Sequence, residues 1–170
     1  MVRSLSFIHL FIILAVGFIG GALLFREMPT SVIEKVILFY DGRVVQGHDV
    51  GYSRSIGTTA FFFVFVFVLS AFEKTRFMVL FLGAVKCVLF GLSSSYLISS
   101  GAKMMVYSIW WFPFQFIGCF LFLVYCAVLH PPFFTRSTIG KSRNLRPLPL
   151  LIGLSVAVLA SEIIIFQFMS

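Results

Sequence analysis

Two ionisable residues sit deep in apolar sequence, Lys86 within 77–98 and Glu162 within 148–168. A charge in hydrocarbon is expensive, so such residues turn toward a partner or water and are the first candidates for function. Counted at about 1.5 Å per residue from the same membrane face, Lys86 stands about 13 Å deep and Glu162 about 21 Å. A lysine stem spans that offset, so a Lys86–Glu162 pair is geometrically open. The alternative is that each side chain snorkels to its nearer surface. A second candidate is the stretch Trp110-Trp111-Phe112-Pro113-Phe114-Gln115. A proline inside a span kinks the helix and frees a carbonyl, and the Gln115 amide can satisfy the exposed backbone groups. Pro113 and Gln115 thus suit either a broken-helix site of the transporter kind or simple packing. The tryptophans suit an interfacial belt.

Other chemistry is missing from the sequence. His9, His48 and His130 are scattered, and there is no H-E-x-x-H, no phosphate-binding G-x-x-x-x-G-K-[ST] and no G-x-S-x-G. Ser93, Ser94 and Ser95 have no base nearby in sequence and are expected to bond their own helix. Cys87, Cys119 and Cys126 lie in apolar runs without a C-x-x-C, as small buried hydrophobes would. The chain reads as non-enzymatic, with no metal and no cofactor.

The elements that position these residues follow from composition. Of 170 residues, 60% are hydrophobic and 11% charged, against about 45–50% and about 25% in soluble domains. Mean hydropathy is +1.07. A water-soluble fold of this size leaves too much surface exposed to hide that apolar content. The expectation is an all-α, polytopic integral membrane bundle, one membrane domain over 1–170. Runs of about 20 apolar residues mark its helices, giving spans near 5–25, 57–72, 77–98, 104–129 and 148–168. The first span is too long for a secretory signal and lacks an A-x-A-like cleavage site. Glu73-Lys74-Thr75-Arg76 closes a tight hairpin between the second and third spans, and His130-Pro131-Pro132 stops the fourth.

The net charge of +7 suggests nucleic acid only in a soluble protein. Here it is read by side. With the N-terminus cytoplasmic, Arg3, Lys74, Arg76, Arg136, Lys141, Arg143 and Arg146 fall inside, whereas Arg26, Lys35, Arg43, Arg54 and Lys103 fall outside. The positive-inside rule favours that arrangement, with the C-terminus extracytoplasmic. The loop 26–56 is then outside, and Pro29-Thr30-Ser31 opens a short amphipathic helix over 31–40, on the membrane surface or against the bundle. Ser31 and Glu34 fit a capping box.

Small residues recur at helical spacing. Gly17-x-x-x-Gly21 marks one face of the first span. Gly83, Cys87 and Gly91 mark the third, and Gly153, Ala157 and Ser161 the fifth. Such faces permit close helix approach. The third and fifth, each beside an ionisable residue, are expected to pack on one another.

In order and spacing, the stretches 16-VGFIGGALLF-25, 76-RFMVLFLGAVKCVLFGLSSSYLI-98, 110-WWFPFQF-116 and 159-LASEIIIF-166 resemble the stage II sporulation protein M family. The resemblance covers about residues 8–168, and Glu162 is its best-matched position. It implies a multipass scaffold in a bacterial cell membrane. One implied role recruits peptidoglycan hydrolases during engulfment in sporulation. The other, suited to a short member, acts beside an ABC transporter in the maturation, export or immunity of circular bacteriocins. From the residues alone, a transporter subunit with a polar path at Lys86 and Glu162 is a further alternative.

Overall fold

The computed structural model describes residues 2–46, 53–72, 75, 77–101, 111–129 and 147–169. They form seven helices: α1 (Val2–Glu27), α2 (Thr30–Tyr40), α3 (Arg43–Gln46), α4 (Ser53–Ala71), α5 (Phe77–Ser99), α6 (Phe112–Leu129) and α7 (Leu148–Met169). The protein is a helical membrane bundle. Four helices are long and apolar enough to cross a bilayer: α1, α5, α6 and α7. α4 begins four residues before the expected second span of 57–72; its apolar part, Ser55–Ala71, measures about 26 Å at about 1.5 Å per residue, somewhat under the about 30 Å of a hydrocarbon core. The long helices are apolar nearly all round, because their outward side chains face lipid. On α1, Phe7, Phe11, Val16, Ile19 and Leu23 are all exposed.

α5 and α6 occupy the centre. α5 touches α1, α2, α4 and α6, while α6 touches α1, α4, α5 and α7. α1 and α5 run parallel in the most extensive contact of the bundle. Their glycines set it: a Cβ on Gly17 would stand 2.6 Å from Cys87 Cβ, and one on Gly21 would strike the Val88 carbonyl. From the other side, a Cβ on Gly91 would strike the Phe18 carbonyl. The Gly-x-x-x-Gly face of α1 therefore meets the Cys87-x-x-x-Gly91 face of α5 within this chain. Gly83 instead faces α6, where its Cβ would meet Leu123 at 2.8 Å.

The expected packing of α5 on α7 is not formed. α7 lies chiefly on α6, which contacts both helices, and Gly153, Ala157 and Ser161 are exposed. Pro113 is the second residue of α6, preceded by Trp111 in a π-helical turn, the kind of local widening found where a helix ladder is interrupted. The kink expected in a span beginning at 104 falls at the edge of 102–110, outside the described residues, as do Trp110, the basic loop 136–146 and the His130-Pro131-Pro132 stop.

α2 begins one residue earlier than expected, at Thr30, with Pro29 at its N-cap and no side-chain capping bond. Glu34 does not reach back to Ser31; it accepts a 3.4 Å bond from Tyr96 Oη on α5. α2 lies against the bundle, burying Ile33, Ile37 and Tyr40, a stripe at positions i, i+4 and i+7 that defines one helical face.

Candidate functional site

Because Tyr40 ends the buried stripe of α2, the turn that follows is carried under the bundle surface. Asp41 and Arg43 are 1% and 4% exposed. The guanidinium grips Asp41 in a fork, Nε to Oδ1 at 2.8 Å and Nη2 to Oδ2 at 2.8 Å. Nη2 also donates to Ser55 Oγ on α4 at 3.0 Å and to Glu162 Oε1 on α7 at 2.6 Å. One arginine thus ties α3 to two helices distant in sequence. Burial alone would lower the Arg43 pKa, but the hydrogen bonds and charges of Asp41 and Glu162 outweigh it and hold the group above its usual value. The arginine stays a cation at any working pH.

Neutral donors complete the cluster. Gln115 Nε2 donates to Glu162 Oε1 at 3.2 Å, and its Oε1 accepts from Tyr40 Oη at 3.0 Å. Trp111, fully buried, donates Nε1 to Asp41 Oδ2 at 3.4 Å and stacks on Phe90. It is not the interfacial belt residue expected from sequence, because its N–H is needed by a buried carboxylate. Tyr40 Oη also lies 3.8 Å from Cys119 Sγ. Burial, then Cys119 and Asp41, hold the phenol well above its ordinary range, which keeps it a donor.

The Lys86–Glu162 pair is not formed. Glu162 lies three residues inside the end of the candidate span Leu148–Ile165, about 5 Å from the boundary at 1.5 Å per residue. Arg43 reaches it there from the loop side. Lys86 lies deeper, 5% exposed, and its ammonium meets ring faces: Phe122 at 4.6 Å, Phe63 at 5.7 Å and Phe62 at 5.8 Å. Within about 6 Å such faces attract a cation. Among the described residues the ion pairs are Arg43–Asp41 and Arg43–Glu162. An ammonium held by rings contributes little beyond its own desolvation cost, so a similar-sized apolar residue should serve as well. Lys86→Met should unfold in detergent within about 1 kcal/mol of the parent or at higher denaturant. A loss above about 2 kcal/mol would mean that the ammonium holds the fold together.

The structure therefore brings Gln115 and Glu162 together, sets Lys86 apart, and leaves Pro113 without a bond to either. Tyr40, Asp41, Arg43 and Ser55 were not singled out as site residues by sequence reasoning, and Trp111 was noted only as an interfacial residue; the buried stripe ending at Tyr40, followed at once by Asp41-Gly42-Arg43, is the signal that points to the first three. Ser93 Oγ is buried with no hydrogen-bond partner, not bonded to its own helix as expected. Among the described residues no group of three or more His, Cys, Asp or Glu side chains is placed to hold a metal. The three cysteines are free and buried. What the arrangement does is fasten the short helices α2 and α3 to the membrane bundle through charge. No model of a known protein family matches the chain, and neither the curated proteins nor the solved structures compared with it give a match.

Proposed function

We propose that this chain is a non-enzymatic scaffold of a bacterial cell membrane, N-terminus cytoplasmic and C-terminus extracytoplasmic, that assembles with other membrane proteins. The observation that supports this reading is the anchoring of α2 and α3 by Asp41, Arg43 and Glu162. With one face of α2 fixed inward, Val32, Lys35 and Phe39 stand exposed on the other. A face ordered in advance loses less freedom on docking. The resemblance to short stage II sporulation protein M relatives supplies the partner class, an ABC transporter in bacteriocin maturation, export or immunity. A peptidoglycan hydrolase complex in engulfment is the family's other partner class. The test is a photo-crosslinking residue at position 39, with a candidate bacteriocin-type ABC transporter co-expressed. A cross-link to the transporter that Lys35→Glu weakens supports the scaffold. Equal labelling of an unrelated membrane protein overturns it.

A second reading, a transporter subunit, is favoured by the burial of Lys86 and Glu162 within the bundle. It requires that Lys86→Met and Glu162→Gln each abolish flux while expression and partner co-purification persist. Unchanged flux in both variants removes it.

A further inference from the structure

The parallel contact of α1 and α5 leaves a lipid-facing groove of about 430 Å³ along its outer edge. Half-buried Phe18, Ala22 and Ser95 line it together with exposed Ile19, Leu23 and Ile98. At the end nearest α2, where both candidate spans finish, the lining turns polar with Arg26 and Ser99. An apolar trough capped by a cation at the membrane boundary matches one kind of molecule in its surroundings. We propose that this groove binds an anionic phospholipid, its acyl chain along Ile19 and Leu23 and its phosphate on Arg26.

Ser95 supports the choice of a lipid over a bare anion. Ser99 and Ser70 donate to their own backbone three residues back, and Ser155 and Ser161 four, whereas Ser93 is unbonded inside the protein. Among the described residues Ser95 Oγ makes no such bond, although it lines an apolar groove where an unmade hydrogen bond is costly. It lies four residues, about 6 Å, below Ser99 along the helix. The glycerol ester carbonyls of a phospholipid occur just below the phosphate, at the depth where Ser95 offers its hydroxyl. Glu27, the nearest acid in sequence to Arg26, projects about 100° further round α1, away from the direction Arg26 takes. Among the described residues the ion pairs do not include Arg26, which leaves its guanidinium for a phosphate, bound with paired donors.

Native mass spectrometry of the full chain in detergent tests this, with phosphatidylglycerol and phosphatidylcholine of matched acyl chains as probes. The parent should retain phosphatidylglycerol about fivefold better than phosphatidylcholine, the factor expected for one basic residue near an anionic headgroup. Arg26→Gln, an exposed position, should erase that preference while both lipids still bind through their chains. Ala22→Phe should lower the occupancy of both. Equal retention of the two lipids by the parent, or a preference that survives Arg26→Gln, overturns the proposal. So does displacement of phosphatidylglycerol by inorganic phosphate, which would make the site one for a free anion. A dimer peak that Ala22→Phe abolishes would give the groove to a second copy and also overturn it.

Discussion

Arg43→Met should destabilise the protein by about 3–5 kcal/mol, the cost of leaving buried charge without its partner. The methionine fills most of the volume but leaves Asp41 and Glu162, 1% and 4% exposed, as two like charges in one desolvated site. Ser55 loses its contact with α3 at the same stroke, so the whole α2–α3 segment is released. Arg43→Lys should recover only part of the loss, because a point ammonium cannot make the fork to Asp41 while reaching α4 and α7. The decisive variant is the triple Asp41→Asn, Arg43→Met, Glu162→Gln. With no charge left to compensate, it should be more stable than Arg43→Met alone, with a coupling of about 0.5–3 kcal/mol. Unfolding in mixed detergent followed by tryptophan fluorescence reads these differences, since Trp111 donates to Asp41. The assignment fails if Arg43→Met costs under about 1 kcal/mol, or if the triple variant falls by the sum of its parts. High salt should leave the contribution nearly unchanged, because buried pairs are weakly screened.

The bundle was legible in the sequence because bilayer thickness allows one solution for a long apolar run. The candidate site was only half legible, for reasons that differ residue by residue. Glu162 and Lys86 stood out because a charge amid leucine and phenylalanine has no ordinary explanation. Their partners did not. Phe62, Phe63 and Phe122 around Lys86 come from α4 and α6, and nothing local marks one phenylalanine among 23 as cation-facing. Arg43 was missed for a subtler reason. Counting charges by side treats every loop residue as solvated, yet the Ile33, Ile37, Tyr40 stripe already places the residue after Tyr40 on the buried face. The loop thus contributes to the membrane-boundary cluster as well as to the charge bias. Small-residue patterns show the same division. They say that two helices are able to approach, and Gly17, Gly21 and Gly91 do so; Gly153 has the same spacing and meets nothing within 4 Å. Spacing encodes the capacity for contact. The partner is decided by which helix the topology puts alongside, and α6 contacts both α5 and α7.

Gly91→Ala tests that distinction with a single methyl group. Its Cβ would land on the Phe18 carbonyl, and backbone cannot rotate away as a side-chain tip can. α1 and α5 must separate along the contact that orders the bundle, which loosens the Phe18–Phe90 ring contact at 5.1 Å and the burial of Cys87. Overpacking of this kind costs typically 1–3 kcal/mol and occasionally more; against backbone, the upper part of that range is expected. Gly21→Ala should behave alike, its Cβ falling on the Val88 carbonyl. Gly20→Ala and Gly153→Ala are the controls, since neither Cβ meets anything within 4 Å. Alanine is the better helix former by about 1 kcal/mol, so these two should match the parent or exceed it. Four single-methyl variants, identical in chemistry, should therefore divide by sign under the same unfolding measurement. If Gly153→Ala proved as costly as Gly91→Ala, α7 would have to be packed on a helix face that the fold leaves open. If Gly91→Ala were neutral, α1 and α5 would not be in backbone contact at all.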